Sequence, residues 1–440
     1  MKGELSEDAL KIYQAALNSV SPKLLMPKHL QKDERYLYIG REKIKRNSIN
    51  KLLVIAVGKA AAAMAQMAEL IFGDVISGGI CITKYEHALP LSKMAIMESA
   101  HPIPDEMSIE AGRKVKVLLE NVTEQDIVIV LLSGGASALM EDLPEGIRLS
   151  DLQVIISKLL HSGADIHELN TIRKQLSNLK GGGLAQAAFP AQLHTLILSD
   201  VVGDDIGIIA SGPTVPDTSC AADAISIFLK YNFWHLIPDY IQVYLMSASN
   251  QQKIINDSWF KNSFSTIIGS NSIALAAAEK QANLFSYPTV IYKKNTTGDT
   301  IELAHEIINY CRKYDSQLPV CFLIGGETTL AVSGNGKGGR NQHFVLSALA
   351  ELFKVGKQSP DFDIVILCAG TDGTDGATDA AGAIADWSKV KEMENIEHDI
   401  NKALANFDSY RFFETFGGLI KTGPSQTNVM DIVVVILNAK

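Results

Sequence analysis

The sequence has few cysteines, and no spacing that would pair them. Its 440 residues include five cysteines, none of them in CxxC spacing. A disulfide framework and a zinc site are therefore disfavoured, and we expect a reducing compartment. The first residues are acidic and lack the apolar core of a signal peptide, and no apolar run approaches the roughly 18 residues of a membrane span. We expect a cytoplasmic protein without a membrane partner.

The chain also lacks an excess of basic residues. Its formal net charge is −9 and its isoelectric point is about 5.6. General nucleic-acid binding and attachment to an anionic membrane are disfavoured, because both need a surplus of positive charge. An anionic small molecule remains a suitable substrate if cationic side chains are gathered at one site. We therefore expect small-molecule partners and no nucleic acid.

Three familiar nucleotide-binding signatures are absent. The sequence has no Walker A motif, no protein-kinase signature set, and no dinucleotide fingerprint between a first strand and its helix. Gly334-x-Gly336 and Gly336-x-Gly338 are only fragments of that fingerprint, and the acidic residue expected ~20 positions later is missing. These absences weaken the case for a P-loop enzyme, a protein kinase or a standard dinucleotide site.

The sequence does contain a repeated order of apolar run, small-residue loop and helix. Residues 52–57, 127–132 and 195–198 are such runs. Uninterrupted apolar runs separated by helices indicate strands that are buried on both faces of a parallel sheet. Residues 50–215 are therefore predicted to form a doubly wound α/β domain, whose ligand loops lie at the carboxyl ends of the strands.

A second α/β domain is predicted after a polar segment, residues 239–264, where the periodicity is weak. We place the domains at residues 1–250 and 260–440, with the first 45 residues helical and packed on the first domain. The later strand-like runs are residues 265–269, 288–293, 320–324, 328–333, 363–368 and 431–437. Because residues 327–341 could also form a hairpin end, we expect a mixed sheet in this domain.

The most informative loop is Gly334-Asn335-Gly336-Lys337-Gly338-Gly339-Arg340-Asn341-Gln342. It separates the strand predicted at residues 328–333 from a helix predicted at residues 344–353. Four glycines would let the backbone approach a ligand closely. Lys337, Arg340 and the free amides of the next helix would supply positive charge. Such a loop suits a polyphosphate.

Cationic and hydroxyl groups also follow strands of the first domain. Lys59 opens a helix, where a bound anion would relieve its repulsion from the helix N-terminus; a lysine that extends into solvent is the alternative. Ser133-Gly134-Gly135-Ala136-Ser137 lacks the last glycine of a nucleophile elbow. It suits phosphate or carboxylate binding, or else it is a tight turn needed only for packing.

A polar helix start at residues 167–176 carries Asn170, Arg173 and Lys174 on one face, because they lie three and four positions apart. Lys180 follows in a glycine-rich turn. These residues form either a basic ridge that faces an anion or an ordinary solvated face.

Acidic side chains occupy three loops that follow strands. They are Asp200, Asp204 and Asp205, then Glu327, then Asp372 and Asp375. Carboxylates at strand ends suit Mg²⁺ that also binds phosphate oxygens, although Asp and Gly are common in ordinary turns as well. The segment Gly423-Pro424-Ser425-Gln426-Thr427-Asn428 before the last strand is about as consistent with a plain turn as with a binding loop.

These loops together resemble the class II D-glycerate 2-kinases, whose C-terminal part is the MOFRL domain. The matching pieces, in chain order, are Val57-Gly58-Lys59-Ala60, His101-Pro102-Ile103-Pro104-Asp105, Leu132-Ser133-Gly134-Gly135, His167-Glu168-Leu169-Asn170-Thr171, Ser199-Asp200-Val201, Gly203-Asp204-Asp205, Ile209-Ala210-Ser211-Gly212-Pro213-Thr214, Gly325-Gly326-Glu327-Thr328-Thr329, residues 336–342, residues 370–376 and Thr427-Asn428-Val429. The chain departs from the usual pattern at Gly183, Val202, Ile206, Gln426 and His343, which bears on substrate preference and loop rigidity more than on kinase chemistry.

The resemblance implies ATP-dependent phosphorylation of the 2-hydroxyl of D-glycerate, with Mg²⁺, in a cleft between two α/β domains. Lys59 and Arg340 would neutralise the γ-phosphoryl group and the glycerate carboxylate, in an order that the sequence leaves open, and Asp204 is the third catalytic candidate. The substrate-binding candidates are Ser133, Ser137, Asn170, Arg173 and Lys180. The nucleotide-binding candidates are Gly134, Gly135, Gly336, Lys337, Gly338, Gly339 and Asn341. The metal-ligand candidates are Asp200, Glu327 and Asp372.

Two other functions remain open. A hydroxypyruvate reductase would need a nicotinamide site, and tight NADPH binding would favour it. A non-catalytic sensor of glycerate or nucleotide would bind without turnover. The sequence also leaves open the preference among glycerate, tartronate and related hydroxy acids, and whether the protein is a homodimer.

Overall fold

The structure, a computed structural model, describes residues 5–250, 256–354 and 362–440. The chain divides into two compact units. One unit runs from Pro22 to Ile268, and we call it the parallel-sheet unit. The other combines Met1–Ser21 with Gly269–Lys440, and we call it the mixed-sheet unit.

Helices and strands alternate along most of the described chain. The helices are α1 (Leu5–Ser19), α2 (Pro22–His29), α3 (Ala61–Phe72), α4 (Glu106–Leu119), α5 (Ala136–Leu139), α6 (Leu149–His161), α7 (Ile166–Gln175), α8 (Gly183–Ala188), α9 (Ala221–Lys230), α10 (Asp239–Ser249), α11 (Asn271–Leu284), α12 (Thr300–Arg312), α13 (Arg340–Lys354), α14 (Trp387–Val390), α15 (Ile396–Ala405) and α16 (Ser409–Phe416). The strands are β1 (Leu30–Lys32), β2 (Tyr36–Ile39), β3 (Glu42–Lys45), β4 (Leu52–Val57), β5 (Gly78–Lys84), β6 (Ala95–Ser99), β7 (Ile127–Leu132), β8 (Gln192–Leu198), β9 (Ser263–Gly269), β10 (Thr289–Thr296), β11 (Val320–Gly326), β12 (Phe362–Gly370), β13 (Gly382–Asp386), β14 (Leu419–Ile420) and β15 (Asp431–Ala439).

The parallel-sheet unit is built on six strands in the order β6-β5-β4-β7-β8-β9. The pairs β4–β5, β4–β7, β5–β6 and β7–β8 are parallel. Every residue of β4 and β7 is buried, which confirms the prediction from their apolar runs. Because neighbouring parallel strands end at the same edge, the loops after β4, β7 and β8 leave this sheet side by side.

The mixed-sheet unit is built on six strands in the order β10-β11-β15-β12-β13-β14. The pair β10–β11 is parallel, and the other four pairs are antiparallel, so the predicted mixed sheet is confirmed. The central strand β15 begins at Asp431, which lies opposite Gly326 of β11 and Gly370 of β12. The start of β15 therefore lies beside the carboxyl ends of both neighbouring strands.

Three local predictions were wrong. Residues 328–333 form no strand, and only an isolated bridge joins Thr329 to Asp299. The following helix begins four residues earlier than predicted, at Arg340. Residues 30–45 were predicted to be helical but form the antiparallel sheet β1-β2-β3, because Tyr36 to Ile39 alternate between half-buried and buried positions, as a strand requires.

The units also differ from the predicted division at residues 250–260. Helix α1 packs with α11 in the mixed-sheet unit, where the Tyr13 hydroxyl donates a 2.7 Å hydrogen bond to the Gly370 carbonyl. Strand β9 extends the sheet of the parallel-sheet unit beside β8. Tertiary packing decides to which unit α1 and β9 belong. A terminal helix or an edge strand has the same local structure in either unit, so the sequence pattern does not indicate its place. Residues 251–255 lie outside the described residues.

No helix among the described residues combines the length and the apolar character that crossing a lipid bilayer requires.

His194 on β8 should make the parallel-sheet unit sensitive to acid. Its ring is buried, stacks on Phe264 at 5.3 Å, and has no hydrogen-bond partner for Nε2 among the described residues. Burial lowers the pKa of His194 from 6.5 to about 4. Between pH 6.5 and pH 4 the unfolded chain therefore binds a proton at His194 that the folded chain does not. The stability that depends on the neutral buried ring is present above pH 6.5 and is lost as the pH falls towards 4. Between pH 7 and pH 5 the expected loss is ~2 kcal/mol.

Urea unfolding of wild type and His194→Phe at pH 7 and pH 5 measures this contribution. The variant should lose less stability than wild type on acidification. Equal losses in the two proteins would contradict the prediction.

Candidate active site

Hydrogen bonds and close packing join the loops after β4 and β7 in the parallel-sheet unit. Gly58 has φ +131°, and a Cβ there would lie 2.2 Å from the Ser133 hydroxyl, so no larger residue fits. The Lys59 amide donates to the Gly134 carbonyl at 2.9 Å, and the Ala60 amide donates to Ser133 Oγ at 3.0 Å. Ser133 is fully buried. Its hydroxyl joins the two loops, and its role in substrate binding stays a prediction.

His101, in the loop after β6, adjoins Gly135 in the same part of the unit. A Cβ at Gly135 would lie 3.0 Å from the His101 ring and 3.6 Å from Lys59 Cγ. The side chains of Lys59 and His101 therefore flank the backbone of Gly135. We did not single out His101 as a site residue from the sequence, although it stands in one of the pieces that carried the resemblance.

A chain of hydrogen bonds connects three polar side chains beside these loops. Ser137 Oγ and Ser211 Oγ are 2.9 Å apart, Ser211 donates to Asn170 Oδ1 at 2.9 Å, and the Asn170 amide donates to the Ile208 carbonyl at 3.1 Å. Ser211 has φ +60°, a conformation that is uncommon without glycine. Asn170 thus holds Ser211 in place, and the Ser137 hydroxyl at the end of the chain has lone pairs left for a ligand.

Arg173 and Lys180 belong to a buried charge cluster. Lys180 Nζ is 2.5 Å from Glu141 Oε2, and neither side chain is more than 2% exposed. Burial lowers the pKa of Lys180, while Glu141 opposes that change. Burial also lowers the pKa of Arg173 to about 10, and its Nε has no hydrogen-bond partner among the described residues. Lys180 forms an ion pair with Glu141, and the substrate-binding roles of Lys180 and Arg173 stay predictions.

The loop after β8 carries the acidic candidates of this unit. Asp205 caps its own turn, since Oδ1 accepts from the Gly207 amide at 2.8 Å. Asp204 has φ +58° and lies next to Gly203, whose φ is +84°, so the chain turns sharply here. Asp200 and Asp204 are half-buried. Their carboxylates therefore follow β8 at the edge of the sheet where Lys59 follows β4.

Arg340 is the centre of an ion-pair network in the mixed-sheet unit. Its Nε and Nη2 donate to the two carboxylate oxygens of Asp431 at 2.6 and 3.1 Å, and Nη1 is 2.9 Å from Glu327 Oε1. Burial alone would lower the pKa of Arg340, but Asp431 and Glu327 outweigh burial and raise it. Its side chain is still 33% exposed. The guanidinium is thus held in a fixed direction with part of its surface open.

The glycines of the 334–342 loop allow close packing against other parts of the mixed-sheet unit. A Cβ at Gly334 or Gly336 would lie 2.5 or 2.4 Å from the Asn406 carbonyl, and a Cβ at Gly338 would lie 2.2 Å from Ser409 Oγ. The Gly336 amide donates to that same Asn406 carbonyl at 2.9 Å. The loop is therefore packed against the segment from the end of α15 to the start of α16, and phosphate binding at its glycines stays a prediction.

The amides at the start of α13 are also engaged. Those of Asn341 and Gln342 donate to the two carboxylate oxygens of Asp375 at 3.1 and 2.8 Å. The Asn341 side chain is buried and donates to Asp431 Oδ1 at 3.1 Å. The amides of Asn341 and Gln342 thus have protein partners, and nucleotide binding by Asn341 stays a prediction. Lys337, whose ammonium lies 4.0 Å from the centre of the Tyr410 ring, remains exposed.

No three His, Cys, Asp or Glu side chains in the described part of the chain are grouped to hold a metal ion. Glu327 faces Arg340, and Asp372 Oδ1 accepts from the Thr374 amide at 3.0 Å. Asp200 belongs to the parallel-sheet unit. The roles of Asp200, Glu327 and Asp372 as metal ligands stay predictions.

Both parts of the chain match known families. Residues 8–246 match the model of a domain of unknown function, DUF4147, and residues 320–431 match the MOFRL family. A glycerate 2-kinase of Pyrococcus horikoshii is 36% identical over 97% of this chain and 94% of its own length. A D-glycerate 2-kinase of Thermotoga maritima is 38% identical over 90% of this chain and 92% of its own.

A solved structure agrees with these sequence matches. The crystal structure of a glycerate kinase from Thermotoga maritima superposes with a TM-score of 0.83 and 34% sequence identity. The match covers 98% of this chain and 99% of the Thermotoga maritima chain. The chain belongs to the MOFRL-domain glycerate kinase family. A protein of Agrobacterium vitis that is provisionally named a hydroxypyruvate reductase is also similar, at 35% identity over 97% of this chain.

Each unit of this kinase brings some of the predicted site residues close together. The parallel-sheet unit brings Lys59, Gly134 and Gly135 together, and the mixed-sheet unit brings Arg340 and Glu327 together. The site residues that we missed are His101, Glu141, Ser211, Asp375 as a cap, and Asp431. An acidic residue that opens the apolar strand β15 was a usable signal for Asp431, because a buried carboxylate needs a partner.

Proposed function

We propose that this protein is a kinase that transfers the γ-phosphoryl group of ATP to the 2-hydroxyl of D-glycerate. The similarity to curated glycerate 2-kinases along nearly the whole chain carries this proposal. Phosphoryl transfer needs positioning and charge stabilisation more than covalent chemistry. A cation after β4, Lys59, and a cation fixed by two carboxylates, Arg340, are suited to those tasks.

We propose that Arg173 binds the carboxylate of glycerate. Its cluster contains two cations, Arg173 and Lys180, and Glu141 pairs with Lys180. An additional anion would relieve the burial of the guanidinium, and a carboxylate suits the forked arrangement of its N–H groups. Ser137, at the end of the chain from Asn170 through Ser211, would bind a hydroxyl of the same substrate.

Lys59 and Arg340 are proposed to stabilise the charge on the transferred phosphoryl group, and Lys337 to attract the polyphosphate. Mg²⁺ is proposed to enter with ATP, because it commonly binds one or two carboxylates together with phosphate oxygens and water. Asp200, Asp204, Glu327 and Asp372 supply hard oxygen atoms of that kind. We also propose a cytoplasmic location, which suits the five free cysteines.

³¹P NMR of purified protein with Mg-ATP and D-glycerate tests the proposal. The expected products are ADP and 2-phosphoglycerate, and an Arg340→Ala preparation should form both ~10³-fold more slowly, which excludes a contaminating kinase as their main source. A 3-phosphoglycerate signal would keep the kinase and refute the 2-position. Oxidation of NADPH by hydroxypyruvate, without any phosphorylated product, would instead support a reductase, the name provisionally given to the Agrobacterium vitis relative.

Replacing Lys59 with methionine is expected to lower kcat by ~10²-fold, because charge stabilisation at the reacting group is lost. The side chain is only half-buried, so the variant should unfold at nearly the wild-type temperature. The measurement is steady-state kinetics with both substrates varied.

Lys51→Met is the matched control. Lys51 is exposed and precedes β4, whereas Lys59 follows it, so the two lysines stand at opposite ends of one strand. The control should retain wild-type kcat. Similar losses in both variants would show that general charge, and not the position of Lys59, matters.

A further inference from the structure

We infer that Asp375 is a positioning residue, which fixes the start of α13 and thereby directs Arg340. The residue lies in the loop after β12, far from α13 in sequence. The inference rests on the proposed function only for the role of Arg340. The contact itself rests on the geometry.

Asp375 takes the position of a helix cap that the local sequence lacks. Helix α13 begins at Arg340, so Gly339 is the residue before it and has no side chain to cap the helix. Asp375 Oδ1 and Oδ2 accept the amides of Asn341 and Gln342, the second and third residues of the helix. An N-cap side chain accepts one of those same amides.

The loop after β12 packs closely against the residues that precede α13. A Cβ at Gly339 would lie 2.2 Å from Asp375 Oδ1, and a Cβ at Gly376 would lie 2.4 Å from the Gly338 carbonyl. Gln342 adds a third hydrogen bond to Asp375 through Nε2 at 3.0 Å. Asp375 is buried, with 2% of its surface exposed. The loop after β12 is therefore fastened to the residues that flank Arg340.

The consequence for Arg340 follows from its place as the first residue of α13. Its side chain must reach Asp431 and Glu327 from a backbone that the helix start defines. Without the cap, the first turn of α13 can fray and the guanidinium loses its fixed direction. Small errors of position at a reacting centre reduce turnover strongly, whereas the affinity for ground-state substrates changes less.

The test combines two variants that disturb the contact from opposite sides. Asp375→Asn removes one acceptor oxygen and the charge. Gly339→Ala leaves every charge in place but inserts a methyl group where the carboxylate lies. Each should lower kcat by ~20-fold and change the KM for ATP by less than ~3-fold. Each should also speed hydrogen exchange of the Asn341 and Gln342 amides.

A double-mutant cycle with Arg340→Ala separates positioning from general damage. If Asp375 acts through Arg340, Asp375→Asn should slow the Arg340→Ala enzyme by less than ~2-fold, because the interaction is already lost. Asp386→Asn is the control: Asp386 caps α14 in the same unit through the Ser388 amide, and kinetics should stay unchanged.

Faster amide exchange with unchanged kcat, or a fully additive cycle, would overturn the positioning role. Unchanged amide exchange in both variants would overturn the contact itself. If wild type forms no phosphorylated product at all, the proposed function fails, while the exchange measurement still decides whether Asp375 fixes α13.

Discussion

Replacing Arg340 with alanine is expected to lower kcat for phosphorylation of glycerate by roughly 10³-fold, which is the lower end of what an arginine contributes to phosphoryl transfer. The guanidinium is fixed through Asp431 and Glu327, yet a third of its side chain is exposed. Such a group is oriented before substrate binds, so it can stabilise transferred charge without reorganising. Steady-state kinetics with ATP and D-glycerate measure the loss.

The alanine variant also leaves the Asp431 carboxylate without its cation. Asp431 is buried, and a carboxylate that loses its partner destabilises the surrounding unit. Activity should therefore be measured at a temperature where circular dichroism shows the variant folded. Arg340→Ala combined with Asp431→Asn removes the unpaired charge, and it should recover stability while turnover stays low.

Arg340→Lys separates charge from geometry. Lysine keeps the positive charge but cannot bond both oxygens of Asp431 with a rigid fork. We expect an intermediate loss of ~10²-fold. If Arg340→Ala turns over within a few-fold of wild type, the catalytic role given to Arg340 is wrong.

The second large effect concerns stability. Replacing Lys180 with methionine is expected to lower the free energy of unfolding of the parallel-sheet unit by ~3–5 kcal/mol. Lys180 and Glu141 are both almost fully buried and form an ion pair at 2.5 Å. Methionine fills the space but leaves Glu141 charged in a poorly solvated place. Urea denaturation followed by circular dichroism measures the change.

Two control variants test the cause of this loss. Adding Glu141→Gln to Lys180→Met removes the uncompensated charge, and it should recover most of the lost stability. Lys116→Met breaks an ion pair with Asp142 whose lysine side chain is 49% exposed, and it should change stability by less than ~1 kcal/mol. If Lys180→Met instead unfolds like wild type and raises the KM for glycerate, the substrate role predicted from the sequence was right.

The sequence was a good guide where one local pattern has one structural outcome. Residues 52–57 and 127–132 are strands with the predicted limits, because short Val/Ile/Leu-rich runs between helices are typical of strands buried on both faces of a parallel sheet. Lys59 lies after β4, as expected from the order of run, glycine and helix. Family membership was also readable, because many short pieces occur in a fixed order.

The sequence was a poor guide where a side chain had several possible partners. Lys180 looked like a ligand-binding cation, but Glu141, 39 positions earlier, neutralises it. The glycines of the 334–342 loop looked like room for phosphate, but Asn406 and Ser409 occupy that room. Neither partner could be found from spacing, since nothing local indicates which distant segment will lie alongside.

The sequence alone determined the class of fold, the strands whose ends carry the candidate residues, and the family. Those properties follow from short-range patterns and from the order of motifs. Only the tertiary structure decided which charged side chains pair with other groups of the protein. Asp375 accepts helix amides and Glu141 pairs with Lys180, groups that we had expected to face a ligand, while Asp431 orients Arg340. A buried charge must find a partner, and packing across the whole unit decides which partner it finds.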